Sequence, residues 1–208
     1  MLLNVINVDP SVRLEGVNPQ YRVVEQRSRE ERILSVARQS KEHGFEVRFW
    51  PGVTGNKFSQ TNISQSFKKI VQWAKTHSEP FVTIAEDDFL FTAPGACRYY
   101  FYNKPDRYDL YLGGIYSGQI KGNRIMNGYS GNTLVTVHHN FYDNILEAKE
   151  TDHLDRWLGN FAFEREYIVC LPFVVKQIPG YSDNKKRMAE YSVFEENFNY
   201  FQSEPGDS

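Results

Sequence analysis

A chain of 208 residues is long enough to bury one sizeable core, and its 24 basic and 26 acidic residues leave a formal charge of only -2. So balanced a composition does not draw the protein to nucleic acid or to an anionic membrane through its overall field, and any such partner needs a local patch. Cys97 and Cys170 have neither metal-site nor disulfide-framework spacing, which argues against sulfur chemistry and for a reducing, cytoplasmic compartment.

The opening "MLLNVINVDP" is too short and lacks the basic start of a signal peptide, so residues 2 to 8 are expected to form a strand. No later run approaches the roughly 18 apolar residues of a membrane span. A helix is expected from Ser28 to Gly44, with Ser28 and Glu31 at capping-box spacing and Gly44 as its stop. "FEVRFW" follows as a strand. Ile63, Phe67, Ile70, Val71 and Ala74 then recur at intervals of three and four, which predicts an amphipathic helix over 62–77. "PFVTIA" is the strand it leads into. Alternating strands and helices predict an α/β core with a mostly parallel central sheet, whose strands are covered on both faces and therefore apolar throughout.

Further strands are expected in "YDLYLG" (108–113), "NTLVTV" (132–137) and "YIVCL" (167–171), with a helical stretch over 141–158 between the last two. The glycine-rich segment 113–131 predicts a hairpin or loop rather than a linker. One domain is expected over 1–200, with 201–208 a frayed tail. Aromatic residues make up 15% of the chain and could stack on a ligand, although packing explains most of them equally well.

Glu86, Asp87 and Asp88 stand in a row at the end of "FVTIA". Each carboxylate raises the cost of ionising its neighbours, so the cluster needs a counter-ion. In open parallel sheets ligands bind beyond the carboxyl ends of the strands, which is where this cluster is expected. Clustered carboxylates suit a hard cation such as Mn²⁺ or Mg²⁺, shared with substrate phosphates. The alternative is a solvated turn.

The order of "NVINV", "RILSVARQSKEHGFEVRFWPGVTG", "ISQSFKKIVQWAKTHSEPFVTIAEDDF", "YDLYLG" and "LPFVVKQIPGYSDN" resembles the family 25 glycosyltransferases, which include lipo-oligosaccharide and collagen galactosyltransferases. The resemblance implies a single-domain, GT-A-like (Rossmann-like) nucleotide-sugar-binding fold. It implies a nucleoside diphosphate-sugar donor, UDP-sugar foremost, and a glycan or protein hydroxyl as acceptor, with Mn²⁺ or Mg²⁺ bridging the diphosphate. On this reading Asp88 and Glu86 are metal ligands, and Glu86 and Asp87 contact the donor. Gln177, Ser182 and Asp183 match the closing family segment. Gln65 stands where many relatives carry histidine.

Asp152 and Asp155 lie three apart, so a helix would place both on one face, where an acid could take the acceptor's proton. The resemblance puts an acid near Asp152, and Asp152 and Asp87 are the catalytic candidates. A helix cap is the competing reading of Asp152. Lys185 and Lys186, with Arg187, could close over the diphosphate. His138 and His139 could serve a metal or a proton but are more simply structural. Arg27, Arg29 and Arg32 open the first helix near where a nucleotide would lie but are expected to be mostly surface charges, and Gly113-Gly114, where a ligand could approach the backbone, is more simply a turn. A phage-type enzyme acting on hydroxymethylated DNA would need a basic groove, for which Lys121, Arg124 and 185–187 are the candidates. A non-catalytic nucleotide-sugar-binding module and a metal-dependent nuclease or phosphotransferase are further alternatives.

Overall fold

The computed structural model describes residues 1–11, 22–151, 153–182 and 187–189. The chain opens with strand β1 (Leu2–Asn7), helix α1 (Arg22–His43), strand β2 (Glu46–Pro51), helix α2 (Ser59–Thr76) and strand β3 (Phe81–Glu86). These five elements make two crossovers. From β1 the chain moves through α1 to β2 on one side, then back through α2 to β3 on the other, so that β1 lies between β2 and β3 and parallel to both. The point where the winding reverses is therefore between β1 and β3.

Next come β4 (Phe89–Phe91), α3 (Ala96–Tyr102), β5 (Leu110–Leu112), β6 (Ser117–Lys121), β7 (Arg124–Ser130) and β8 (Leu134–His138). They are followed by α4 (Tyr142–Glu147), α5 (Leu154–Gly159), β9 (Tyr167–Val169), β10 (Val175–Gln177), β11 (Gly180–Ser182) and β12 (Arg187–Ala189). The central sheet has the order β2-β1-β3-β8-β5-β9-β7-β6. Following the pairings across it, β1, β2, β3, β5, β6 and β9 run one way, and only β7 and β8 run the other. The sheet is mostly parallel in direction, as the alternation of apolar strands and helices predicts.

Both faces are covered. On one, Val82, Ile84, Leu110, Leu112, Val135 and Val137 pack under α2, α4 and α5. On the other, Leu3, Val5, Ala85, Tyr111 and Leu134 pack with Val36 of α1, Tyr100 of α3 and the short strand β4. Alternate residues of β3 and β5 thus point to opposite cores, the expected consequence of a two-residue strand period. Most aromatic side chains in 97–112 serve this packing: the Tyr100 and Tyr111 rings stack at 4.5 Å, and Tyr100 donates its hydroxyl to the Tyr111 carbonyl at 2.6 Å.

Several local expectations need correction. Helix α1 begins at Arg22, so Ser28 is interior to it and no capping box forms there. The Ser28 hydroxyl instead accepts the Tyr181 amide at 3.3 Å. Gly44 does end the helix, at φ 69°. In α2 the buried face is Phe67, Ile70, Val71 and Ala74, whereas Ile63 is exposed and Ser66 is buried because its hydroxyl joins Val53 N to Asn62 O. The helix expected over 141–158 is broken into α4 and α5. Ala148 turns extended at ψ 140°, is buried, and offers its carbonyl to the Lys68 ammonium. Residues 113–131 do contain a hairpin, formed by β6 and β7.

Candidate functional site

Strand β3 carries the acids to the carboxyl edge of the sheet. Glu86, its last residue, lies opposite Ile6 of β1, at the point where the winding reverses. The chain then turns at Asp87-Asp88 and leaves the central sheet to form β4, which pairs antiparallel with β10, Phe89 against Gln177. That pairing brings Gln177 back over the acids. Its amide nitrogen lies 3.0 Å from Glu86 Oε2 and 3.4 Å from Asp88 Oδ1, and Ile178 N donates to the Asp88 carbonyl at 2.7 Å.

Arg32 approaches from α1. Its Nη1 donates to Asp87 Oδ1 at 3.1 Å, its Nη2 stands 3.8 Å from Asp88 Oδ2, and the same Nη2 donates to the Tyr181 carbonyl at 2.7 Å. The guanidinium supplies counter-charge to the cluster, where the sequence points only to a metal ion. Arg27 is the surface charge expected of it, paired with Glu31, but Arg29 is buried and the Arg32 side chain is only 12% exposed. The buried face of α1 runs through Arg29, Arg32, Val36 and Gln39, at helical spacing. That spacing is the signal that could have singled out the two arginines. Arg32 also borders an open cleft of about 450 Å³ between α1 and Ile178-Pro179, a volume within the small-molecule range.

The cluster keeps an excess of negative charge. Lost hydration, and after it the charges of Asp88, Asp155 and Asp87, push the Glu86 carboxyl up to about 8, and Arg32 offsets this only in part. Asp155 belongs to this neighbourhood: from the first turn of α5 its Oδ2 accepts the Gly131 amide at 2.8 Å. The sequence ranks Asp155 below Asp152, and its link to Gly131 depends on a contact 24 positions away. Gly113 is not a free turn, because a Cβ there would lie 2.9 Å from Leu134 Cδ2 and 3.1 Å from Val175 Cγ2, so it lets the side chains of β8 and β10 close up against its backbone.

Glu86, Asp87, Asp88 and Gln177 are thus brought together, and Ser182 is buried in β11 next to Tyr181, whose carbonyl binds Arg32. Asp152, Asp183, Lys185 and Lys186 lie outside the described residues. His138 is not at the site, since it pairs with Phe81 at the opposite end of β3 and accepts the Asn140 amide through Nδ1. Arg124 is held by Glu166 at 3.2 Å and by the Arg165 carbonyl, on the hairpin that forms the far edge of the sheet. Gln65 bonds Glu150 at 2.7 Å.

The sequence matches no protein-family profile and no curated protein. Solved structures do resemble it along nearly its whole length. A glycosyltransferase involved in the glycosylation of the major capsid of PBCV-1 superposes with a TM-score of 0.52 at 9% identity, over 96% of this chain and 98% of the other. A Desulfovibrio desulfuricans G20 protein assigned as a nucleotide-diphospho-sugar transferase gives 0.50 at 12% identity, over 96% and 97%.

The fold is GT-A-like. Identities this low carry the architecture and nothing finer, so the chemistry must be argued from the side chains.

Among the described residues, no three acid, histidine or cysteine side chains form a metal cage. A cation shared with a diphosphate needs only one or two protein carboxylates. The donor set here is of that kind: Glu86 Oε2 and Asp88 Oδ1 converge on one amide nitrogen of Gln177, where two hard oxygens already meet a partial positive charge. The residues present therefore fit a divalent ion. Among the described residues, no helix is long and apolar enough to cross a membrane.

Proposed function

We propose that the protein is a metal-dependent glycosyltransferase of the family 25 type, transferring a sugar from a nucleoside diphosphate donor, UDP-sugar foremost, to a hydroxyl of a glycan or protein. The observation that carries this reading is the convergence of Glu86 and Asp88 on Gln177, with Arg32 against Asp87, at the carboxyl end of β3 beside β1. In a GT-A-like sheet that is where a ligand's phosphates meet the protein.

Each residue has a role in this scheme. Asp88 and Glu86 supply hard oxygens to Mn²⁺ or Mg²⁺, which when bound stabilises charge on the departing diphosphate as a Lewis acid. Asp87, oriented by Arg32, faces the donor's ribose or sugar hydroxyls. Gln177 orients Glu86 and Asp88 through its side-chain amide. Lys185 and Lys186 close over the diphosphate, with Ser182 and Asp183 bordering the donor. Asp152 takes the acceptor's proton. The assignments of Ser182, Asp183 and Asp152 rest on the family 25 resemblance, and those of Lys185 and Lys186 on their charge next to that segment.

A glycan or protein acceptor is preferred to modified DNA. Arg124, one of the basic residues a DNA groove would require, is already engaged by Glu166. A cytoplasmic location agrees with two free, buried thiols. The test is a thermal-shift panel of nucleoside diphosphates and their sugars, with and without Mn²⁺. A ligand at a hundred times its Kd adds about 2.7 kcal/mol, or about 5–10 °C for a domain of this size. If no nucleotide raises Tm in the presence of Mn²⁺, the reading fails.

A further inference from the structure

We propose that Asp155 is a positioning residue that sets the height of Glu86 by holding the turn on which the end of β3 rests. The inference builds on the donor-site reading of Glu86. Both Asp155 oxygens are occupied by backbone amides, Oδ2 by Gly131 and Oδ1 by Arg156, each at 2.8 Å. A carboxylate engaged in this way holds backbone rather than taking a proton from an acceptor.

Two residues beyond Gly131, the Thr133 carbonyl accepts the Glu86 amide at 3.2 Å. That bond lies just past the last ladder pair of β3 and β8, Ala85 with Leu134. The residue carrying the carboxylate is therefore fixed on the β8 side by the 131–133 turn, and that turn is pinned by Asp155.

The anchor is itself rigid. Leu154 and Leu158 of α5 are buried, and Gly159 brings the helix onto the backbone of β7: a Cβ there would lie 2.5 Å from Tyr129 N and 3.1 Å from Gly128 Cα. Gly131 has no slack on its other side, with φ 107° and Tyr116 N 2.8 Å from where its Cβ would be. A shift of α5 thus passes through Gly131 and Thr133 to Glu86. The Asp155 charge also acts on the Glu86 carboxyl, in keeping with their proximity.

The test compares Asp155→Ala with Asp155→Asn in the full chain, by amide hydrogen exchange and by titration with UDP plus Mn²⁺. In the alanine variant the Gly131 and Glu86 amides should exchange at least tenfold faster, with Val5 of β1 unchanged, and UDP affinity should fall about tenfold. Asparagine keeps an acceptor oxygen and should restore both readouts to within threefold of the parent. Unchanged protection at Glu86 in Asp155→Ala overturns the proposal. So does equal acceleration at Val5, which marks a stability contact only, and so does an asparagine variant as impaired as alanine. A parent that fails to bind UDP with Mn²⁺ overturns the donor reading instead, while the exchange rates still decide the positioning role.

Discussion

The Arg32 guanidinium lies 3.1 Å from the Asp87 carboxylate, joining α1 to the β3–β4 turn across 55 positions of sequence, and both side chains are nearly buried. Removing one partner of a buried ion pair strands the other charge, at a cost of about 3–5 kcal/mol. Arg32→Met should therefore destabilise the protein by about 3 kcal/mol at pH 7 in urea unfolding. A loss below about 1 kcal/mol at pH 7 would mean that Arg32 is not the counter-ion of this cluster.

Glu86 gives the cluster a pH signature. Its carboxyl is raised from 4.5 to about 8 in the folded protein, first by lost hydration and then by Asp88, Asp155 and Asp87. A raised folded-state value means that the fold binds this proton more tightly than the unfolded chain does, so ionising Glu86 costs stability as pH climbs from 4.5 to 8. Glu86→Gln removes that cost and keeps an oxygen for Gln177. The variant should match the parent near pH 4 and exceed it above pH 8, by up to about 5 kcal/mol. A difference that does not change with pH contradicts the shift.

Gly159 tests the docking of α5. A Cβ 2.5 Å from Tyr129 N meets backbone, which cannot move aside as a flexible side chain could. Gly159→Ala should cost about 2 kcal/mol despite alanine's better helix propensity. Unchanged or increased stability in urea unfolding would show that α5 sits further from β7 than described.

Much of this architecture is legible in the sequence, because continuous apolar strands such as "FVTIA" and the three-four spacing of Phe67, Ile70, Val71 and Ala74 depend on local pattern. The position of Glu86-Asp87-Asp88 at a strand end is legible for the same reason. Arg32 and Asp155 are not, since each acquires its meaning from a partner in another element: Asp87 for the first, Gly131 for the second. Ser28 misleads through local pattern, for its capping-box spacing with Glu31 falls inside a helix already formed from Arg22. Strand β4 is three residues long and is defined by its pairing with β10, which no local period reveals. Gln177 is legible only through the motif resemblance, because its contacts with Glu86 and Asp88 span about 90 positions of sequence.

Calorimetric titration of UDP, with and without Mn²⁺, into the parent and into Asp88→Asn tests the central claim most directly. The substitution is nearly isosteric but deletes a charged oxygen from the Glu86–Asp88–Gln177 convergence. UDP should bind the parent only with Mn²⁺, and Asp88→Asn should lose at least tenfold in that affinity, about 1.4 kcal/mol, with its unfolding midpoint within a few degrees of the parent. Parent binding that is indifferent to Mn²⁺, or a folded Asp88→Asn that binds UDP and Mn²⁺ as the parent does, would contradict the assignment of these carboxylates as the metal and donor site.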